Sequence, residues 1–175
     1  MATHAFGVHT PREMLARAQY EINELEEAIK RFYVLEEEGK HKVGSLAGTC
    51  AGTLWNIVDW LANSNDPATK AALVKFKLTS HDAIRDHVKN NSAALTLCWE
   101  ITNGYKHCEL QGYTLKSSQV DEAALSVPAS LMPDRPLAHQ FVPKIKAKVG
   151  ANLPAVQVYK DALSFWDGFF KQLGL

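Results

Sequence analysis

AALTLCWEITNGYKHCEL, residues 93–110, has the period of a helix. At about 100° per residue, Ala94, Leu97, Cys98, Ile101, Tyr105 and Cys108 form one apolar stripe, so this helix turns one face into a bundle. Thr96, Glu100, Asn103 and His107 line a different face, at spacings of four, three and four. A carboxylate, an amide and an imidazole therefore stand in one column. Such a column is either structural, with His107 tying its helix to Asp59, or the start of a site.

Working outward on the N-terminal side, Asn90-Asn91-Ser92 caps this helix. Before it, Thr79-Ser80-His81-Asp82 opens a helix over 82–90, with Ile84 and Val88 inward. Asn63-Ser64-Asn65-Asp66-Pro67 is a turn that caps a short helix over 68–76. A further helix, 45–63 in its main part, starts between Lys42 and Ser45 and runs to about Asn63. Its early part carries Gly44, Gly48 and Gly52 and is weak or closely packed. Leu54 to Leu61 is apolar nearly all round, which puts it at the centre. Asn56 and Asp59 share a face there. A buried Asp needs a partner, a His or an Arg from a neighbouring helix.

The chain opens with a capping box, Thr10-Pro11-Arg12-Glu13. From it a helix is predicted over 11–38, ended by Gly39, with Leu15, Ala18, Ile22, Leu25, Ile29 and Phe32 as its seam. At 1.5 Å per residue this is roughly 40 Å, long enough to project or to pack on a second subunit. Glu36 to Glu38 then read as a solvated helix end, on the wrong side of the dipole.

On the C-terminal side, Pro128, Pro133 and Pro136 break residues 111–140 into a loop or lid, with a helical turn over Val120 to Leu125. Phe141 to Val149 alternates, with Lys144, Lys146 and Lys148 on one face. A turn through Gly150 to Pro154 and a return over Val156 to Tyr159 complete a β-hairpin. The last helix is predicted over 161–173, with Leu163, Trp166, Phe169, Phe170 and Leu173 on its apolar face.

The expected fold is mostly α: a four- to five-helix bundle with a C-terminal β-hairpin and final helix. Residues 1–110 would form the bundle, 111–140 the loop, and 141–175 the hairpin and helix packed on it, as one domain. Composition agrees, with 46% apolar and 22% charged residues and a formal net charge of zero. No bulk charge favours nucleic acid or a membrane surface. MATHAFGVHTPRE lacks a basic start followed by an apolar run, which predicts no secretory signal. No apolar stretch approaches the 20 or so residues of a membrane span. Cys50, Cys98 and Cys108 are odd in number and lack CxxC spacing, so they read as reduced thiols of a cytoplasmic protein.

Other constellations are weaker. Lys144, Lys146 and Lys148 could track phosphates. They also suit an edge strand guarded against aggregation, and no aromatic residue interleaves to stack bases. His81 and His87 are six apart and do not converge, and neither Glu-x-x-His nor His-Glu-x-x-His occurs, so no metal site is predicted. No Gly-rich phosphate loop, Ser elbow or dinucleotide fingerprint is present, so no cofactor is expected.

Thr102-Asn103-Gly104-Tyr105-Lys106-His107 resembles the Arg-polar-x-x-x-His motif of the HEPN superfamily (higher eukaryote and prokaryote nucleotide-binding domains). The match lies at Asn103 and His107. It departs at Thr102, which stands where the family has Arg. Asn103 to His107 and Val58-Asp59-Trp60 are also similar to uncharacterised bacterial helical proteins. The resemblance covers roughly residues 11–110 and implies paired subunits. In many members it implies a metal-independent RNase of a toxin–antitoxin or defence system. His107 would then be the acid/base, Asn103 would orient substrate, and Lys106 would stand in poorly for the Arg that holds the scissile phosphate. Arg85 or a second subunit are other sources of that cation. Glu100 and Asp59 would support the site.

Three functions follow as expectations. The first is a non-catalytic interaction module of a homodimeric protein with a protein partner. The second is an endoribonuclease using His107 on RNA. The third is a small-ligand or nucleotide pocket between bundle and loop.

Overall fold

Thr10 accepts the Glu13 amide on Oγ1 at 3.1 Å, and Pro11 starts the first helix as the capping box predicts. The computed structural model describes residues 10–31, 37–107, 119–126, 139–146 and 152–175. Among them are six helices: α1 (Pro11–Arg31), α2 (Glu37–Ala62), α3 (Pro67–Lys75), α4 (His81–Asn91), α5 (Ala93–His107) and α6 (Ala155–Leu173). The fold is a mostly α helical bundle.

α2 is its centre. It packs against α1, α4, α5 and α6, and residues from Val43 to Leu61 are buried along it. Such a helix has no broad solvent face, which is why Leu54 to Leu61 lacks a polar stripe. α1 buries Met14, Ala18, Ile22, Leu25 and Ile29 at spacings of three and four. Arg12 bonds the Leu175 carbonyl at one end and Glu26 takes Lys160 Nζ at 2.6 Å towards the other, so α1 and α6 run antiparallel.

Two helix boundaries differ from the sequence expectation. α1 ends at Arg31, and α2 has already begun at Glu37, passing through Gly39. Gly39 is therefore inside a helix and stops nothing. The acidic run becomes, from Glu37 on, the start of a helix. Tertiary burial carries the early turns of α2, where Val43, Ala47 and Cys50 are fully buried and outweigh the roughly 1 kcal/mol cost of each glycine. α1 as described is 21 residues long, about 32 Å, and the further length expected over 32–36 lies outside the described residues.

The second difference lies at the C-terminus. α6 begins at Ala155 and not at 161, so Val156 to Tyr159 is helical and is not the return strand. Ala155, Val158, Tyr159 and Ala162 extend the buried face that ends in Trp166, Phe169, Phe170 and Leu173. Pro154, read as a turn residue, is the N-cap position.

The sheet is three-stranded, ordered β1 (Gln119–Ser126), β2 (His139–Lys146), β3 (Asn152–Pro154). β1 and β2 pair antiparallel from Gln119↔Lys146 to Ser126↔His139. The hairpin of β2 and β3 is short, from Lys144↔Pro154 to Lys146↔Asn152. Val120 to Leu125 is thus a strand and not a helical turn, because pairing along all of β2 overrides a weak local preference. The rest of the predicted loop, 111–118 and 127–138, lies outside the described residues. β3 stops short of Pro143, which sits where β2 is open on that side and a residue without N–H is tolerated.

α3 ends in a Schellman turn. The Lys77 amide bonds the Val74 carbonyl and the Leu78 amide bonds the Leu73 carbonyl, both at 2.9 Å, with Leu73 and Leu78 buried together. The left-handed position is held by Lys77 at φ 59°, where glycine is ordinarily preferred. Lys77→Gly should raise unfolding stability by about 1 kcal/mol. Urea denaturation followed by circular dichroism checks this, and an unchanged or lower midpoint would count against the strain.

Candidate functional site

The predicted column on α5 divides into structural and unplaced parts. Thr96 Oγ1 lies 3.1 Å from the carbonyls of both Lys89 and Ser92, pinning the start of α5 to the end of α4. Glu100 and Asn103 are half-buried. Lys106 and His107 occupy the last turn of α5, and their side chains lie outside the described residues. Thr102 is turned inward: it is 9% exposed, and its hydroxyl donates to the Cys98 carbonyl at 2.8 Å. The position at which the HEPN motif carries Arg is therefore a core position here.

Asp59 belongs elsewhere. Its side chain is half exposed, not buried, and its Oδ1 is 2.7 Å from His81 Nε2. This partner is a histidine from a neighbouring helix, His81; whether His107 also reaches Asp59 lies outside the described residues. Sequence reasoning considered His81 only against His87. The link spans 22 residues, and the one local signal for it was that Asp59 lacked a partner on its own helix. His81 and His87 diverge, His87 resting on the Phe169 ring at 5.2 Å. Arg85 bonds Asp82 at 2.9 Å and Asp86 at 3.2 Å on its own helix, so its charge is already engaged. Among the described residues, no three His, Cys, Asp or Glu side chains gather as a metal would need.

Lys144 and Lys146 lie on β2, the middle strand, paired to Asp121 and Gln119 on one side and to Pro154 and Asn152 on the other. The edge-guarding role is therefore lost at these two positions. Lys148 lies outside the described residues.

Cys50 and Cys98 are buried and reduced, on α2 and α5. Burial pushes the Cys50 thiol up to about 12, and the nearby Glu21 carboxylate adds to the effect. Burial likewise raises Cys98, with Cys50 contributing. Both are packing groups, poor nucleophiles at neutral pH. Cys108 lies outside the described residues. Glu21 was not foreseen: it sits buried on α1, held by Arg17 Nε at 2.8 Å.

The concavity of note is a cleft of about 610 Å³ at one end of the bundle. Its walls are the start of α1 (Thr10 to Arg12), the end of α2 (Asp59, Trp60 and Asn63), the turn to α3 with Asp66 and Thr69, and Leu175. No described residue of α5 lines it. Local capping shapes the walls. Asn63 Nδ2 donates to the Asp59 carbonyl at 2.9 Å, closing α2. Asp66 Oδ2 accepts from the Thr69 amide at 2.8 Å and hydroxyl at 2.7 Å, opening α3. The volume is within the range of small-molecule sites.

No helix among the described residues is long and apolar enough to cross a membrane. Compared with family models, curated proteins and solved structures, the chain matches none.

The Thr69 hydroxyl, then its amide, hold the Asp66 carboxyl below its ordinary 3.8. A carboxyl depressed in the folded state stabilises that state above its unfolded value, and the contribution is lost as pH falls through the folded value. Asp66→Asn keeps a capping acceptor but not the charge. The wild type should melt higher than Asp66→Asn at pH 7, with the gap closing below pH 3.8. Thermal melts across pH 7 to 3 test it, and a gap that widens in acid would contradict the assignment.

Proposed function

We propose that this chain is a HEPN-like helical bundle that works as a non-catalytic interaction module of a toxin–antitoxin or defence type system in the cytoplasm. The observation that supports this reading is Thr102. Its side chain is buried, with the hydroxyl on the Cys98 carbonyl. A phosphate stabiliser has to reach a solvent-facing substrate with a cation. Position 102 has neither the charge nor the exposure. Arg85, another source of that cation, is engaged by Asp82 and Asp86. Neither Thr102 nor Arg85 therefore offers His107 the cation that RNA cleavage requires.

The module pairs with a second copy of itself. Support comes from the surface of α1, where the large aromatic side chain of Tyr20 is 63% exposed.

A mixed-sequence fluorogenic RNA, incubated with EDTA, separates this reading from the endoribonuclease. Wild type, His107→Ala and Thr102→Arg should all be inactive. Thr102→Arg should also lose about 3 kcal/mol of stability, because it forces a cation into a buried position. Cleavage by the wild type that disappears in His107→Ala would establish the nuclease. Light scattering at micromolar concentration should return twice the 19.4 kDa of the chain; a monomer there would refute the pairing.

A further inference from the structure

The end cleft is independent of α5 and of the motif on which the proposed function rests. We infer that it is a binding site for a small organic cation, an alkylammonium or guanidinium compound. Trp60 is half-buried and forms part of its wall beside the carboxylates of Asp59 and Asp66. An indole attracts a cation through the negative face of its ring, and adjacent carboxylates supply the counter-charge.

Arg12 reaches the cleft from α1 with its guanidinium on the Leu175 carbonyl, so the lining sets two carboxylates, Asp59 and Asp66, against one fixed cation. The N-terminal end of α3 would favour an anion, and its Thr69 amide is already taken by Asp66. The last turn of α2, which ends at Ala62, points carbonyls towards this end of the bundle and favours positive charge. His81 binds Asp59 through Oδ1 from outside the cleft lining, so the bond orients the carboxylate at the rim. Both Thr69 bonds to Asp66 fall on Oδ2. The sequence offered no direct sign of this site, because its walls come from three separated segments.

Choline and agmatine are the probes, titrated against the full chain with tryptophan fluorescence as readout. 3,3-Dimethylbutan-1-ol, the uncharged isostere of choline, is the control. At least one cation should give a saturable change at millimolar concentration or below, and the alcohol should not. Trp60→Leu should abolish the response, and Asp66→Asn should weaken binding roughly tenfold, as expected for loss of one close charge. Circular dichroism establishes that each variant is folded. If Trp60→Leu fails to fold, Asp66→Asn decides alone, since it retains its cap. Absence of saturation with both cations, equal binding of the alcohol, or full binding by folded Asp66→Asn would overturn the assignment. None of these results depends on RNA cleavage or on pairing, so this inference and the proposed function can fail separately.

Discussion

The bond from Trp166 Nε1 to the Leu54 carbonyl, 2.9 Å long and fully buried, is the contact on which the arrangement of this bundle turns. An indole N–H sealed in the core without an acceptor costs on the order of 1–3 kcal/mol. α6 is therefore held at one rotation and one height on α2. Trp166 anchors a cluster in which Phe165 meets it edge-on at 5.6 Å and Phe169 and Phe170 lie tilted at 6.0 and 5.9 Å. With that height set, Lys160 reaches Glu26, Phe169 meets His87, and Leu175 arrives beside Arg12 as a wall of the cleft.

Polar side chains in this molecule divide by what they hold. Thr96 joins α4 to α5, Thr102 returns its hydroxyl to its own helix, and Asp59 with His81 joins α2 to α4. Each serves a backbone carbonyl or a helix–helix contact. The column Thr96, Glu100, Asn103, His107 looks uniform on a helical projection, yet its first member is a structural pin. A face seen on one helix says which residues share a direction. It does not say which neighbour stands opposite, and chemistry depends on the neighbour.

What was legible in the residues were features whose cause is local. The cap at Thr10-Pro11, the caps at Asp66 and Ser80, and the shared Ser92 between α4 and α5 were readable because a side-chain acceptor three residues before an amide is a short-range signal. The central place of α2 was readable from its lack of a polar face. The start of α2 was not, because Gly39 signals a stop when considered locally and only burial of Val43 and Ala47 carries the helix through. The start of α6 was hidden by Pro154, which serves equally as a turn residue and as the residue before a helix. β1 was missed because its partner β2 begins thirteen positions after Ser126 and pairing is its whole support.

By itself the sequence determined the helical class, the caps and the inward face of α1, since each follows from periodicity or from a bond within one turn. Only the tertiary structure decided that Asp59 meets His81, that position 102 faces the core, that the lysine strand is the middle of its sheet, and that α1, α2 and α3 enclose a cleft. These are contacts between segments far apart in the chain. Their geometry depends on how helices pack around α2, a consequence of the whole core and of no single stretch.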